Sequence, residues 1–283
     1  MGGKRTAPCA FVGTNVRSYT SVMAITSNCA LCGTLAVLID SHLLPKALYR
    51  LTRDNTMKNP NPVLVTKGKD VQTSSQMKRY LLCSVCEDLF SKNGESWVLA
   101  RCFRGGPANK FLLRDVLRTA TPMKSDSSGD LVSTVGMVGM DIGKIAYFAA
   151  SVFWRASVSD WPIQGKVVPQ ISLGALQGEF SDYLLGRSQF PTSCNLLIYV
   201  ADDTTPPLAM HPPQCGNSGN LEECRFSIPG IRFSLLPKIP QSQLSLMAPP
   251  HHALLISNDQ SRLLAEGTIK LRGKPVKPAE FWH

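Results

Sequence analysis

Apolar residues gather along this chain in short runs, broken by polar, glycine and proline positions. Residues 35–39, 63–65 and 80–83 are compact runs that favour extended structure, and each is predicted to be a strand. The runs at 195–200, 226–228, 231–235 and 253–257 read the same way. Helices are predicted at 46–51, where Pro45 suits a helix start, and from Glu87 onward, where acidic residues suit a helix N-terminus. Residues 111–118 form a short amphipathic pattern. Residues 142–156 read as a mostly buried helix whose Trp154 and aromatic neighbours belong to the core. Residues 173–185 read as a helix stopped by Gly186. Residues 55–62 and 202–223 read as loop, the second carrying Pro206-Pro207 and Pro212-Pro213, and 121–130, rich in Ser and Asp, reads as a linker. The sum is an α+β fold. The richest apolar run, 145–152, falls far short of the roughly 20 residues that span a bilayer, so no membrane partner is expected and a cytoplasmic location is.

The chain has 283 residues, 43% of them hydrophobic, enough to bury a sizeable core. It divides by pattern into an N-terminal arm or extension (1–22), a first module (23–120) and a mixed α+β domain of unassigned role (131–283). Charge sharpens that division. Residues 1–120 hold 17 Lys+Arg against 7 Asp+Glu, whereas the remainder holds 13 of each. A positive field confined to one half suits a phosphate-backbone partner.

Nine cysteines, with no convincing secretory leader, point to metal rather than to a disulfide framework. Cys29-x-x-Cys32 and Cys83-x-x-Cys86 are two knuckles able to place four thiolates around one zinc ion, and Gly33 suits the tight turn after the first. Cys194 and Cys102 sit among apolar neighbours and read as core residues. Cys215 and Cys224 flank a Gly/Asn/Ser loop and read as free thiols or a second metal pair. The order knuckle, strand, histidine, knuckle, helix describes a zinc-stapled ββα unit.

These residues, Cys29-x-x-Cys32, then Asp40-Ser41-His42-Leu43-Leu44-Pro45, then Leu82-Cys83-x-x-Cys86 opening a helix, resemble the HNH endonuclease superfamily in its four-cysteine, treble-clef form. The resemblance covers residues 26–98. The longer run through Phe90-Ser91-Lys92-Asn93-Gly94-Glu95, with Tyr147, Phe148, Ser151, Trp154 and Arg155, also resembles a set of uncharacterised bacterial HNH-like proteins. The resemblance implies a phosphodiester hydrolase in which His42 is the general base, deprotonating the attacking water. It also implies a Mg²⁺ or Mn²⁺ ion near the leaving oxygen. Glu87, Asp40 and Ser41 are the candidate ion ligands, with Asp88, Asn93 and Glu95 in reserve. This sequence departs from the family in having Ser41 where an acid or His is usual. Lys46, Arg50 and Arg53, one helix face near the histidine, are candidate phosphate holders. The expected partner is nucleic acid, DNA in first place, with self-association or a protein partner assigned to the C-terminal domain. The competing expectation is a catalytically degenerate zinc module that binds nucleic acid or a protein.

Overall fold

The computed structural model describes residues 24–53, 58–66, 69–101, 112–126, 129–134, 139–201, 209–218, 221–236 and 253–258. In chain order the first half runs β1 (Thr26–Asn28), β2 (Leu35–His42), α1 (Lys46–Leu51), β3 (Val63–Thr66), β4 (Lys69–Gln72), β5 (Lys78–Cys83) and α2 (Ser84–Phe90). Helix α2 passes through a π-helical turn (Ser91–Glu95) into α3 (Ser96–Arg101). Then come α4 (Leu112–Thr119), β6 (Lys124–Asp126), β7 (Gly129–Ser133), α5 (Ile142–Val158), β8 (Trp161–Ile163), β9 (Lys166–Val168) and α6 (Leu176–Leu184). The last described elements are β10 (Asn195–Ala201), β11 (His211–Ser218), β12 (Leu221–Ile228), β13 (Ile231–Leu236) and β14 (Ala253–Asn258). Both helices and sheets are present, as the α+β expectation required. No helix among the described residues is long and apolar enough to cross a membrane.

Helix α5 is the axis of the molecule. Every residue from Ile145 to Ser157 is buried, so the helix is covered all round and not along one stripe. Its start is fixed by the Asp141 carboxylate, which accepts the Lys144 amide at 3.0 Å and so caps the first turn. On one side Phe148 and Phe153 meet Phe226 and Phe233 of a seven-stranded sheet, at ring separations of 5.0–6.1 Å. That sheet has the order β11-β12-β13-β10-β14-β7-β6, with β10 and β14 its one parallel pair. On the other side Tyr147 and Trp154 meet Phe90 of α2 edge to face. The buried residues of both halves join in one continuous cluster.

Two stretches differ from expectation. The linker expected at 121–130 contributes β6 and the start of β7, paired at one edge of the large sheet, with 127–128 outside the described residues. The loop expected at 202–223 contains β11 and most of the β11–β12 hairpin, with 202–208 and 219–220 outside the described residues. Pro212-Pro213 are tolerated because β11 is the opposite edge strand and they fall where the register slips between His211 and Gln214. Residues 102–111, which include Cys102 and most of the basic, glycine-containing stretch 101–110, and His251-His252 also lie outside the described residues.

Candidate metal centre and histidine cleft

The first knuckle closes as a turn between β1 and β2. The Cys29 amide donates to Thr34 O and the Gly33 amide to Cys29 O, both at 2.9 Å. Gly33 sits at φ 73°, the left-handed conformation that glycine adopts without penalty. The second knuckle lies at the end of β5, where Cys83 caps α2 and Cys86 enters its first turn. Because β2 pairs with β5, and the Ala30 amide donates to Leu81 O at 3.1 Å, the knuckles meet across 50 residues of sequence.

The four sulfurs lie within 4.8 Å of one another. Cys32 Sγ and Cys83 Sγ are 3.9 Å apart, close to the roughly 3.8 Å edge of a tetrahedron with 2.3 Å zinc–sulfur bonds. The surroundings favour thiolate at one ligand: hydrogen bonds from the Thr34 side chain and amide draw Cys32 down to about 6. Burial pushes Cys29 and Cys86 upward. A dication among them reverses that burial penalty, since each thiolate then gains a strong attraction. The donor set therefore fits a structural Zn²⁺ held by Cys29, Cys32, Cys83 and Cys86.

His42 is at the far end of the same ladder. Leu38 pairs with Cys83 and His42 with Lys78, so four residues of β2, roughly 13 Å, separate the sulfurs from the histidine. A register slip between Ile39 and Asp40 places one extra β5 residue, Leu81, in the ladder. Strand alternation then sorts the triplet. Asp40 and His42 both line a cleft of about 520 Å³, whereas Ser41 is 1% exposed with its hydroxyl turned to Ile39 O at 3.5 Å. His42 Nε2 donates to Gln76 Oε1 at 2.7 Å, which leaves Nδ1 as the proton acceptor of the ring. Gln76 is set in place by its neighbour: the Met77 carbonyl accepts from Leu43 N at 3.0 Å and its amide donates to Tyr49 OH at 3.1 Å. Lys46 and Lys78 bring positive charge to the cleft, and Lys78 forms an ion pair with Asp40 that raises the lysine's pKa.

The other wall comes from the second half of the chain, residues 162–165 at the tip of the β8–β9 hairpin. The hairpin is docked firmly. Trp161 is fully buried with Nε1 donating to Arg155 O at 3.2 Å, and Arg79 donates to Ser159 Oγ and to Asp160 O.

The candidate ion ligands are not brought together. Ser41 faces inward because it alternates with His42. Glu87 lies on α2, where its carboxylate meets Arg155 at 3.3 Å rather than the cleft. Arg155 is 1% exposed, and its second partner is Glu95 at 2.6 Å. A buried guanidinium requires such partners, and they have captured Glu87. The reserve ligands are engaged as well: Asp88 with Lys92, Asn93 with Tyr147, Glu95 with Arg155. Only Asp40 shares the cleft with His42. Of the candidate phosphate holders, Lys46 lines the cleft and Arg50 is exposed one turn on, while α1 ends at Leu51, so Arg53 lies beyond the helix.

Cys215 and Cys224, read as free thiols or a metal pair, are instead direct cross-strand partners in the β11–β12 hairpin and form a disulfide. The residues between them include the paired ends of β11 and β12, whose register sets the two cysteines opposite one another. Cys194 is buried, as expected. Gln76, Lys78, Gln164 and the role of Arg155 were not legible beforehand. Only the alternation of β5 could have pointed to Lys78. No protein-family model, curated protein or solved structure matches the chain.

Proposed function

We propose that this protein is an HNH-like nuclease, a phosphodiester hydrolase whose zinc-stapled, treble-clef-like module presents His42 as general base. The observation that carries the reading is the sharing of one cleft by His42, Asp40, Lys46 and Lys78, at the end of a ladder anchored by four cysteine sulfurs. His42, oriented by Gln76, accepts a proton from water at Nδ1. The two lysines hold the phosphate, and nucleic acid is the substrate class to which their charge is suited. A Mg²⁺ or Mn²⁺ ion would be held by Asp40 together with substrate phosphates, as magnesium sites with a single carboxylate are. Such an ion supplies charge stabilisation at the leaving oxygen.

One observation favours a second reading, a module that binds nucleic acid without cutting it. Asp40 is paired with Lys78, and Glu87 is committed to Arg155. The experiment that separates the two is plasmid nicking in Mg²⁺ or Mn²⁺ by wild type and His42→Ala, with zinc content measured on both. Cleavage lost in the variant while zinc stays near one per chain is the expected result. DNA retained with no cleavage by either protein selects the binding module.

A further inference from the structure

We propose that the His42 cleft accepts an unpaired nucleotide, from a single strand or turned out of a duplex, and that Gln164 of the β8–β9 hairpin reads its base. The proposal rests on the nuclease reading and names the substrate class of that site.

Three observations carry it. First, the cleft has two walls of different chemistry. The module side offers Lys46, Lys78 and His42, groups for a phosphate. The hairpin side offers Pro162 and Ile163, apolar surface for a base face, and the Gln164 carboxamide, which can donate and accept at a base edge. At about 520 Å³ the space is that of a small-molecule pocket, the scale of a nucleotide and not of a groove-bound helix. A duplex that lay across both walls would keep its bases paired and out of reach of Gln164.

Second, Gln164 is held at φ 49°, and no other non-glycine among the described residues has a positive φ. Gly165 follows at φ 69°, so the tip has the two left-handed residues of a type I′ turn, whose first position ordinarily takes Asn, Asp or Gly. Glutamine there is a local departure from what the turn alone would select, and such departures concentrate at ligand clamps. Third, the tip is pinned across the cleft: Gln164 Nε2 donates to Thr73 Oγ1, on the segment that leads to Gln76. That bond uses one hydrogen of a group with two donors and an acceptor. With Trp161 buried behind it, the hairpin is a fixed wall that needs no closure to meet a base.

The test uses the full zinc-loaded chain with Gln164→Gly and Gln164→Asn. Glycine keeps the turn and removes the carboxamide, while asparagine keeps a carboxamide and tolerates the left-handed backbone. Binding is read by anisotropy and cleavage by gel, on labelled single-stranded DNA, single-stranded RNA and a DNA duplex of one sequence. The expected result is single strands bound and cut about tenfold better than duplex, with that advantage and any base preference lost in Gln164→Gly and kept in Gln164→Asn. The DNA and RNA arms assign the sugar. Equal handling of single strand and duplex, or an advantage untouched in Gln164→Gly, overturns the proposal and leaves the nuclease intact. Failure to bind or cut any of the three overturns the nuclease reading itself.

Discussion

On one side of α5 the contacts are aromatic. Phe148 and Phe153 pack against Phe226 and Phe233, and the sheet behind them buries most of β10 and β13. On the other side stands a three-stranded sheet, β1-β2-β5, with a modest apolar core of Leu38, Leu43, Leu44, Leu48 and Leu82. That smaller sheet also exposes Leu35, Val37 and Ile39 on its outer face. A unit of this size seldom holds together by burial alone, and cross-links supply what the core lacks. The large sheet rests on packing; the small one rests on four sulfurs and on its attachment to α5. The difference teaches where the molecule can fail locally and where it must fail as a whole.

The largest effect should come from the sulfurs. Metal binding at a structural zinc site is worth about 10–16 kcal/mol in small modules. Cys86→Ser, or removal of metal with a chelator, is therefore expected to unfold β1, β2 and β5 while the large sheet remains. Amide exchange resolved by segment would show this, with metal analysis falling from near one zinc per chain to none. Simultaneous loss of protection in both sheets would show that they have no separate stability.

Next is the joint between them. Arg155→Met leaves Glu87 and Glu95 facing the interior without their cation, at an expected cost of about 3–5 kcal/mol in denaturant unfolding. Adding Glu87→Gln and Glu95→Gln should restore a good part of it. No recovery would mean that packing of the guanidinium on Phe90, 4.6 Å away, matters more than charge.

The disulfide belongs wholly to the large sheet. Its closed loop is short, a separation of 9 residues, so the chain-entropy model gives about 2–3 kcal/mol. A Cys215→Ala/Cys224→Ala double variant should lose about that much in thermal unfolding and keep its full zinc content. Smallest is Gly94→Ala. A Cβ there would sit 2.8 Å from the Phe148 backbone nitrogen, and overpacking of this kind costs about 1–3 kcal/mol. Better helix propensity returns less than that, and the net loss should appear as a lower melting temperature.

What was legible beforehand was local. The knuckles, the run 35–39, Pro45 before a helix and the apolar stretch of α5 each carry their signal within a few residues. What was not legible depends on pairing. Glu87 beside Cys86 looks like an ion ligand until Arg155, 68 positions away, is seen to hold it. Asp40 and Ser41 exchange candidacy because strand alternation puts His42 and Asp40 on one face. The β8–β9 hairpin has too few residues to show a period, and Pro212-Pro213 signal a loop unless the strand is known to be an edge.

The π-helical turn between α2 and α3 makes the length of that rod a matter of counting. Eight residues of unbroken α-helix would leave Glu95 about 80° round from Glu87. The wider turn at Ser91–Glu95 takes up part of that offset, and both carboxylates reach one guanidinium. Deleting one residue from the turn would restore ordinary winding and leave Glu95 seven steps from Glu87, only about 20° round. Ordinary winding with every residue kept would instead turn Glu95 and the buried Val98 by about 80°. The turn acts as slack, taking up one surplus residue so that the faces on either side stay in step. Two carboxylates on one face, answered by one distant arginine, are thus a more durable signature of this junction than the number of residues between them.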